Sequence, residues 1–486
     1  MSLRRRMLLV ATLPLLSGCA TLRATLDGWE TGADGLTHSQ RDLRNALSSG
    51  DFQSALEFRE GDALLRMLQT GITAYYAGDF MRSAALLDSA TLLSEERLTT
   101  SVSKGGLSLV TNDLARAYQL RPTERLFVPY YAMLDYCRTA RWEDAAVEAR
   151  RLVSLLARAS GDADPSERPL HAAMQYLAGV VLEKAGDRDE SRVSFRIAHA
   201  LVAAYPERPA ARGPRDGEVL VVIERGFVAH RASETIFVGA GDDEREHEHD
   251  FGGAPRRASD GPGAPVNALH PMAAVALVAP ARVPTADSGA RSHPVVRERR
   301  RRDDADGDVP ALSLAFPALR RSPSVGMEPP RVVTDRAGGD TLSFDVQTIS
   351  SVDDASAVDE RRERARIVGR ELVRASAQYA VSKALEDRSG ETAGRLARVG
   401  AAVMARADVR SWHLLPQQLV LVRLHVRSGR QTLRLDTNDA AHGAGLSLGE
   451  LDVTTGEVTI VPTRVWHEHT VAARPRCPPD AWMCAP

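Results

Sequence analysis

The sequence predicts an α+β protein: an N-terminal array of helix hairpins, then a mixed α/β domain carrying a long disordered insertion. Three observations predict it. A turn element of similar composition recurs four times within a helical pattern between residues 50 and 191. That pattern ends at Pro206, Pro209 and Pro214, and a buried-strand run, Glu218–Glu224, follows. Residues 240–308 then turn to Gly-Pro and Ala-Pro pairs and blocks of charge, a composition that cannot bury a core. The boundaries read from these shifts are 1–18 for a leader, 19–39 for a tether and 40–210 for the helical domain. Residues 211–239 and 309–470 make the mixed domain, 240–308 the insertion and 471–486 a C-terminal tail.

Arg4, Arg5 and Arg6 precede a short apolar run, Met7–Leu16, and the small residues Ser17 and Gly18 lead into Cys19. A charged start, a short apolar centre and a small-residue cut site describe a signal peptide. As helix, ten residues rise about 15 Å, roughly half a bilayer core, so the run is too short to remain a span. Leu16-Ser17-Gly18-Cys19 resembles the lipobox of bacterial lipoproteins. The resemblance implies that Cys19 becomes the acylated first residue of the mature chain and that its partner is membrane lipid. Ala20, where an Asp would retain such a protein, then points to the outer membrane. Acyl chains contribute about 0.8 kcal/mol per buried methylene, enough together for firm anchoring.

The chain has 62 basic and 64 acidic residues, a balance that argues against a nucleic-acid partner. Aromatic residues are sparse at 5%, which suits close-packed helices. Of the four cysteines, Cys137 sits in a helical pattern and reads as a small buried hydrophobe. Cys477 and Cys484 have a spacing that permits a small disulfide loop in an oxidising compartment, with two free thiols as the alternative.

The recurring element reads Gly50-Asp51-Phe52, Gly78-Asp79-Phe80, Ala140-Arg141-Trp142 and Gly186-Asp187-Arg188. A small residue tolerates the left-handed turn that ends one helix, and a polar one caps the next. The pattern resembles the tetratricopeptide repeat, which implies stacked helix hairpins with a concave binding face. By that resemblance, Gly71, Gly78, Ser83 and Ala90 in one copy, and Gly179, Gly186, Ser191, Phe195 and Ala198 in another, fall at the small positions of the motif. The spacing is irregular, so the array is degenerate, and Leu107–Leu120 reads as a further helix within its longest gap.

Beyond Pro214, Thr235–Val238 reads as a second strand. Val275–Val278 is a short candidate strand inside the insertion, whose basic run Arg297–Arg302 reads as a solvated loop. Residues 311–315 and 341–350 are strand-like. A long helix is expected over Val358–Glu386, with Val368, Leu372, Ala375 and Tyr379 on one face and Arg362, Arg366, Arg370 and Arg374 as a stripe. A second helix is expected over Thr392–Ala407. Residues 417–426 and 431–435 read as one β-hairpin, and 450–461 as another turning at Thr454-Thr455-Gly456.

The lipobox, Tyr130–Tyr136, Ala146–Arg151, the strand leading into Gly226 and Asp408–Pro416 together resemble an uncharacterised family of Gram-negative outer-membrane lipoproteins with tetratricopeptide-like N-terminal halves. Members are often encoded beside lipoproteins resembling activators of penicillin-binding proteins, which implies an envelope role. The insertion and the arginine-rich tract depart from that pattern.

Candidate chemistry is thin. Gly445-Leu446-Ser447-Leu448-Gly449 fits the serine-hydrolase pattern, but no helix is expected after it to expose the hydroxyl. His247–His249 and His467–His469 are His-Glu-His triplets whose i, i+2 geometry suits only weak metal binding, so no metal site is expected. The stripe from Arg362 to Arg374 reads as a solvated face or as a surface for carboxylates of peptidoglycan or of an acidic partner. Glu148, Arg150 and Arg151 read as a buried ion pair joining helices. Trp412 and Pro416 read as an anchor where a helix meets the strands, with an interaction hot spot at Trp412 as the alternative, and Arg410 as a bond to a carbonyl or carboxylate there. With no phosphate loop, dinucleotide fingerprint or paired carboxylates, neither an enzyme nor a cofactor is expected. The expected function is a protein-binding scaffold on the periplasmic face of the outer membrane, in cell-envelope or peptidoglycan assembly. It would hold an envelope protein partner in its helical groove. The alternatives are a cell-wall-modifying enzyme, or a pilot lipoprotein for secretion or surface-polymer export.

Overall fold

A computed structural model describes residues 34–471, apart from 60, 104–116, 161–162, 208–212, 214, 239–311, 323–330, 337–340, 346–348, 391, 393, 395–406, 437–445 and 468–469. Cys19, Cys477 and Cys484, the candidate strand Val275–Val278, His247–His249 and most of Leu107–Leu120 therefore lie outside the described residues. The chain divides into two units, residues 1–238 with 311–486, and residues 239–310; only the first is described below.

That unit is α+β. Its helices are α1 (His38–Ser49), α2 (Phe52–Leu56), α3 (Ala63–Ala77), α4 (Phe80–Ser103), α5 (Pro122–Arg138), α6 (Trp142–Ser160), α7 (Arg168–Lys184), α8 (Arg188–Leu201) and α9 (Val352–Ser389). The recurring turn element does what its composition predicts. Gly50, Gly78, Ala140 and Gly186 all sit at left-handed φ, 79°, 86°, 56° and 94°. At each, two amides in succession bond back to the helix just ended: Asp79 to Ala74 and Gly78 to Tyr75, Arg141 to Tyr136 and Ala140 to Cys137. The same pair recurs at Asp51 and at Asp187, so all four turns close orphan carbonyls alike. The two copies with conserved spacing of small residues pack closely for the expected reason. A Cβ on Gly179 would lie 2.9 Å from Phe195, and one on Gly71 would lie 3.4 Å from Leu87. Three hairpins result: α3–α4, α5–α6 and α7–α8. The first copy yields only the short α2.

The strands are β1 (Asp216–Arg225), β2 (His230–Val238), β3 (Leu312–Arg320), β4 (Arg331–Arg336), β5 (Thr341–Asp345), β6 (Ile349–Ser351), β7 (Gln418–Arg427), β8 (Gly429–Asp436), β9 (Leu446–Val453), β10 (Val458–His467) and β11 (Thr470–Val471). They form a sheet β11-β10-β1-β7-β6, a ribbon β2-β3 and a second sheet β5-β4-β8-β9. Neither expected hairpin forms. β7 lies in the first sheet and β8 in the second, and β9 and β10 are likewise split. The cause is β1, which pairs antiparallel with β7 and parallel with β10 and so occupies the edges those hairpins would have used. Its run of apolar residues is buried on both faces, which suits a central strand and no other. The strand expected over 341–350 is divided between sheets, with β5 in the second and β6 in the first. The long helix starts at Val352, six residues early, because Ser351 caps it by accepting the Asp354 amide.

Side chains of β1 alternate between two cores. Leu220 and Val222 join the helices, together with Ile460 and Trp466 of β10 and the side chains Leu68, Ile72, Tyr131 and Leu177. Val219, Val221 and Ile223 face the second sheet with Val422, Leu433, Leu435 and Leu448. The first sheet thus has helices on one side and the second sheet on the other. The first helix of each hairpin is enclosed, and in α5 and α7 the buried residues run almost the whole length. The expectation of an open helical groove is corrected here. The inner face of the array is filled by the chain's own strands and by residues 408–417, because an apolar sheet face must bury somewhere and that face is the one available.

Candidate functional site

Residues Ser411–Gln417 form no regular element, yet every one of them is buried. A buried loop needs partners for its backbone. Here they come from several elements at once. The Arg44 guanidinium of α1 donates to His413 O (2.7 Å) and Val228 O (3.1 Å). Arg464 of β10 donates to Leu414 O (3.2 Å), Leu415 O (3.3 Å) and Gly226 O. Arg121, at the start of α5, donates to Arg410 O (3.0 Å). The Trp412 amide donates to Glu124 (2.9 Å), and the Val352 amide to Gln417 O (2.9 Å). Three arginines from distant parts of the chain therefore hold one strap between helices and sheet.

Around Arg464 the strap meets an aromatic cluster. The Tyr76 hydroxyl of α3 donates to Glu224 of β1 (2.6 Å) and lies 3.1 Å from the Tyr131 hydroxyl. Arg464 reaches Tyr76 (3.1 Å) and lies 3.9 Å from Glu224, all of these groups being buried. Its guanidinium sits 4.5 Å from the Trp466 ring centre. Burial holds the Tyr76 and Tyr131 hydroxyls well above their ordinary range. Burial alone would pull Arg464 down, but Tyr76, Tyr131 and Glu224 around it raise it on balance. Arg44 is lowered to about 9 by burial and by Arg464. His413, wholly enclosed beside Arg44 (3.3 Å to Nδ1), is pushed well below its usual range by burial and then by that cation, so its ring is neutral. These groups are engaged with the chain's own carbonyls, which makes the arrangement a clamp.

The expected site residues divide between this clamp and the surface. Trp412 is buried with its ring 6.2 Å from Tyr131, and Pro416 is buried beside it. The hot-spot alternative is corrected: a side chain with no exposed surface offers none to a partner, and Trp412 is an anchor. Arg410 chelates Asp408 (2.8 Å from both Nε and Nη2) and lies 3.9 Å from Asp62. The arginine stripe is not one solvated face. Arg362 makes two bonds to Glu167 at the start of α7 (2.8 and 2.9 Å), Arg374 bonds Glu371, Arg370 is half-buried and Arg366 is exposed. The buried helix-joining pair expected near residue 148 is also corrected. Glu148 pairs with Arg151 of its own helix (3.3 Å), and the helix-joining contact is made by the more exposed Arg150 to Asp187 and Glu190.

Ser447 lies within β9, where its hydroxyl accepts the Gly449 amide (3.2 Å), and the next described element is the strand β10, not a helix. His467 is in β10, whereas His469 lies outside the described residues. Among the described residues no group of three or more His, Cys, Asp or Glu is arranged to hold a metal ion, and no helix is long and apolar enough to cross a membrane.

Sequence reasoning missed Arg44, Tyr76, Glu224 and Arg464. Two of them carried a signal. Glu218 and Glu224 share the β1 face of Leu220 and Val222, and Arg464 shares a β10 face with Ile460 and Trp466. A charge in phase with a buried strand face demands a buried partner. No family model matches the chain, and neither does any curated protein or solved structure.

Proposed function

We propose that this protein is an acylated lipoprotein of the outer membrane's periplasmic face that serves as a protein-binding scaffold in cell-envelope or peptidoglycan assembly. Its three helix hairpins are tetratricopeptide-like, and they present their outer surface to a partner. The observation that carries this reading is the contrast between the two sides of the array. First helices are enclosed, whereas the second helices keep apolar side chains in solvent: Met81 and Leu92 on α4, Val147 on α6, Val193 and Ile197 on α8. Exposed apolar side chains repeated on successive helices suit a docking face. The lipobox-like start supports the address, and the clamp supports a passive body, since its polar groups are occupied in holding the strap.

The test is detergent-free fractionation of cells producing the native chain or Cys19→Ser, with mass analysis of the mature N-terminal peptide and affinity recovery from the membrane fraction. The proposal expects an acylated Cys19, membrane residence lost in the variant, and an envelope protein recovered with the native chain alone. A mature native product free in the periplasm, or no envelope partner from intact membranes, would count against it.

A further inference from the structure

Asp135 belongs to neither the clamp nor the outer face. It lies in the last turn of α5, is 1% exposed, and neither of its carboxyl oxygens has a hydrogen-bond partner. The Ser83 hydroxyl of α4 faces it and is likewise without a partner. The charges around this seam are mostly of one sign. Asp79 comes from the turn before α4 and Asp88 from α4 itself, and from α6 comes Glu148, which faces Asp88. From α3 comes the Tyr75 ring, and on α5 itself Cys137 is beside the carboxyl. The cations at the margin are taken: Arg151 bonds Glu148, and Arg138 lies over the Phe80 ring, 5.0 Å from its centre. The carbonyl end of α5 adds its own negative potential. Apart from the Ser83 hydroxyl, an ionised carboxylate has nothing to meet here.

We propose that Asp135 carries a proton in the closed array, and that loss of this proton opens the joint between the α3–α4 and α5–α6 hairpins. The geometry leaves no other way to close the seam, since an uncompensated charge in an apolar enclosure must neutralise or reach water. Burial above all holds the carboxyl well above the ordinary range; the Ser83 hydroxyl opposes it, and Asp79 and Asp88 add to it. The array is then stiff when protonated and hinged when not, and its curvature answers to the pH of its compartment.

The experiment compares the full chain carrying Cys19→Ser with the same chain also carrying Asp135→Asn, by urea unfolding and amide exchange from pH 5 to 9. The amide is a neutral isostere of the protonated acid. The ratio of folding constants, variant over parent, is expected to rise about tenfold per pH unit until the folded carboxyl ionises. Parent amides of α4 and α5 then exchange faster at pH 9 than intrinsic rates explain, and those of the variant do not. Asp88→Asn removes one repelling charge, so it narrows the pH window over which the ratio rises. A flat ratio from pH 5 to 9 overturns the proposal. So does failure of Asp135→Asn to fold at pH 5, where the native side chain is held to be equally uncharged.

Discussion

Replacing Arg464 by Leu removes the centre of the clamp. The guanidinium bonds Tyr76 and the carbonyls of Gly226, Leu414 and Leu415, and it lies 3.9 Å from the buried Glu224. The Leu415 carbonyl keeps the Val228 amide at 2.9 Å, so it is not orphaned, whereas Gly226 and Leu414 lose a charged donor. Breaking a buried pair costs about 3–5 kcal/mol, because the remaining charge stays behind without compensation. Leu retains part of the apolar contact with Trp466, so a loss of about 4 kcal/mol is expected, mostly from Glu224. Adding Glu224→Gln removes that stranded charge and is expected to restore about 1–2 kcal/mol, a non-additivity diagnostic of contact. Urea unfolding of the two single variants and the double variant at pH 7 measures both quantities. A loss below about 1 kcal/mol, the scale of a solvated ion pair, would refute the reasoning, as would strict additivity.

Three further outcomes follow from the same structure. Ala140, at φ 56°, is the left-handed residue of its turn without glycine's freedom; Ala140→Gly is expected to stabilise by about 1 kcal/mol and raise the melting temperature by about 2–4 °C, while Gly78→Ala lowers it similarly. Asp359 is pushed up to about 6 by burial, against the opposing Thr123 amide at 2.8 Å. With its folded value above its unfolded one, the fold binds the extra proton, and stability falls as pH rises from about 4 to about 6. Asp359→Asn should match the native chain near pH 4 and exceed it by about 1–3 kcal/mol at pH 7; a variant less stable at pH 7 contradicts the assignment. Val238 and Leu312 pair directly across β2 and β3, so replacing residues 239–311 by Asn-Gly should close the ribbon with a two-residue turn. Unfolding curves should show stability unchanged or raised by up to about 3 kcal/mol, and a clear loss would show that the segment supports the unit.

Local features were legible in the sequence and non-local ones were not. The turns at Gly50, Gly78 and Gly186 could be read because left-handed backbone selects glycine, and Gly71 and Gly179 because close helix approach excludes a side chain. The β7–β8 and β9–β10 segments misled because a strand, a short polar turn and a strand look alike whether the turn closes a hairpin or crosses between sheets. What decided the matter was β1, about two hundred residues upstream of β7 and β10, and no local pattern reports that pairing. The same distance hid the clamp. Arg44, Glu224, His413 and Arg464 converge from four separate stretches, and only the phase of Glu224 and Arg464 on apolar strand faces betrayed them. Trp412 and Pro416 were found as an anchor because a Trp–Pro stretch between a helix and a strand has few other uses.

The central functional claim is that a lipid-held body offers the outer surface of its hairpins, and not a groove, to an envelope partner. Photo-crosslinking in living cells from Val147 and Val193, both exposed on second helices, tests it most directly. The account predicts an adduct with an envelope protein in the membrane fraction, weakened by Cys19→Ser. No adduct from either position, or an undiminished one when Cys19→Ser leaves the chain free of the membrane, would contradict it.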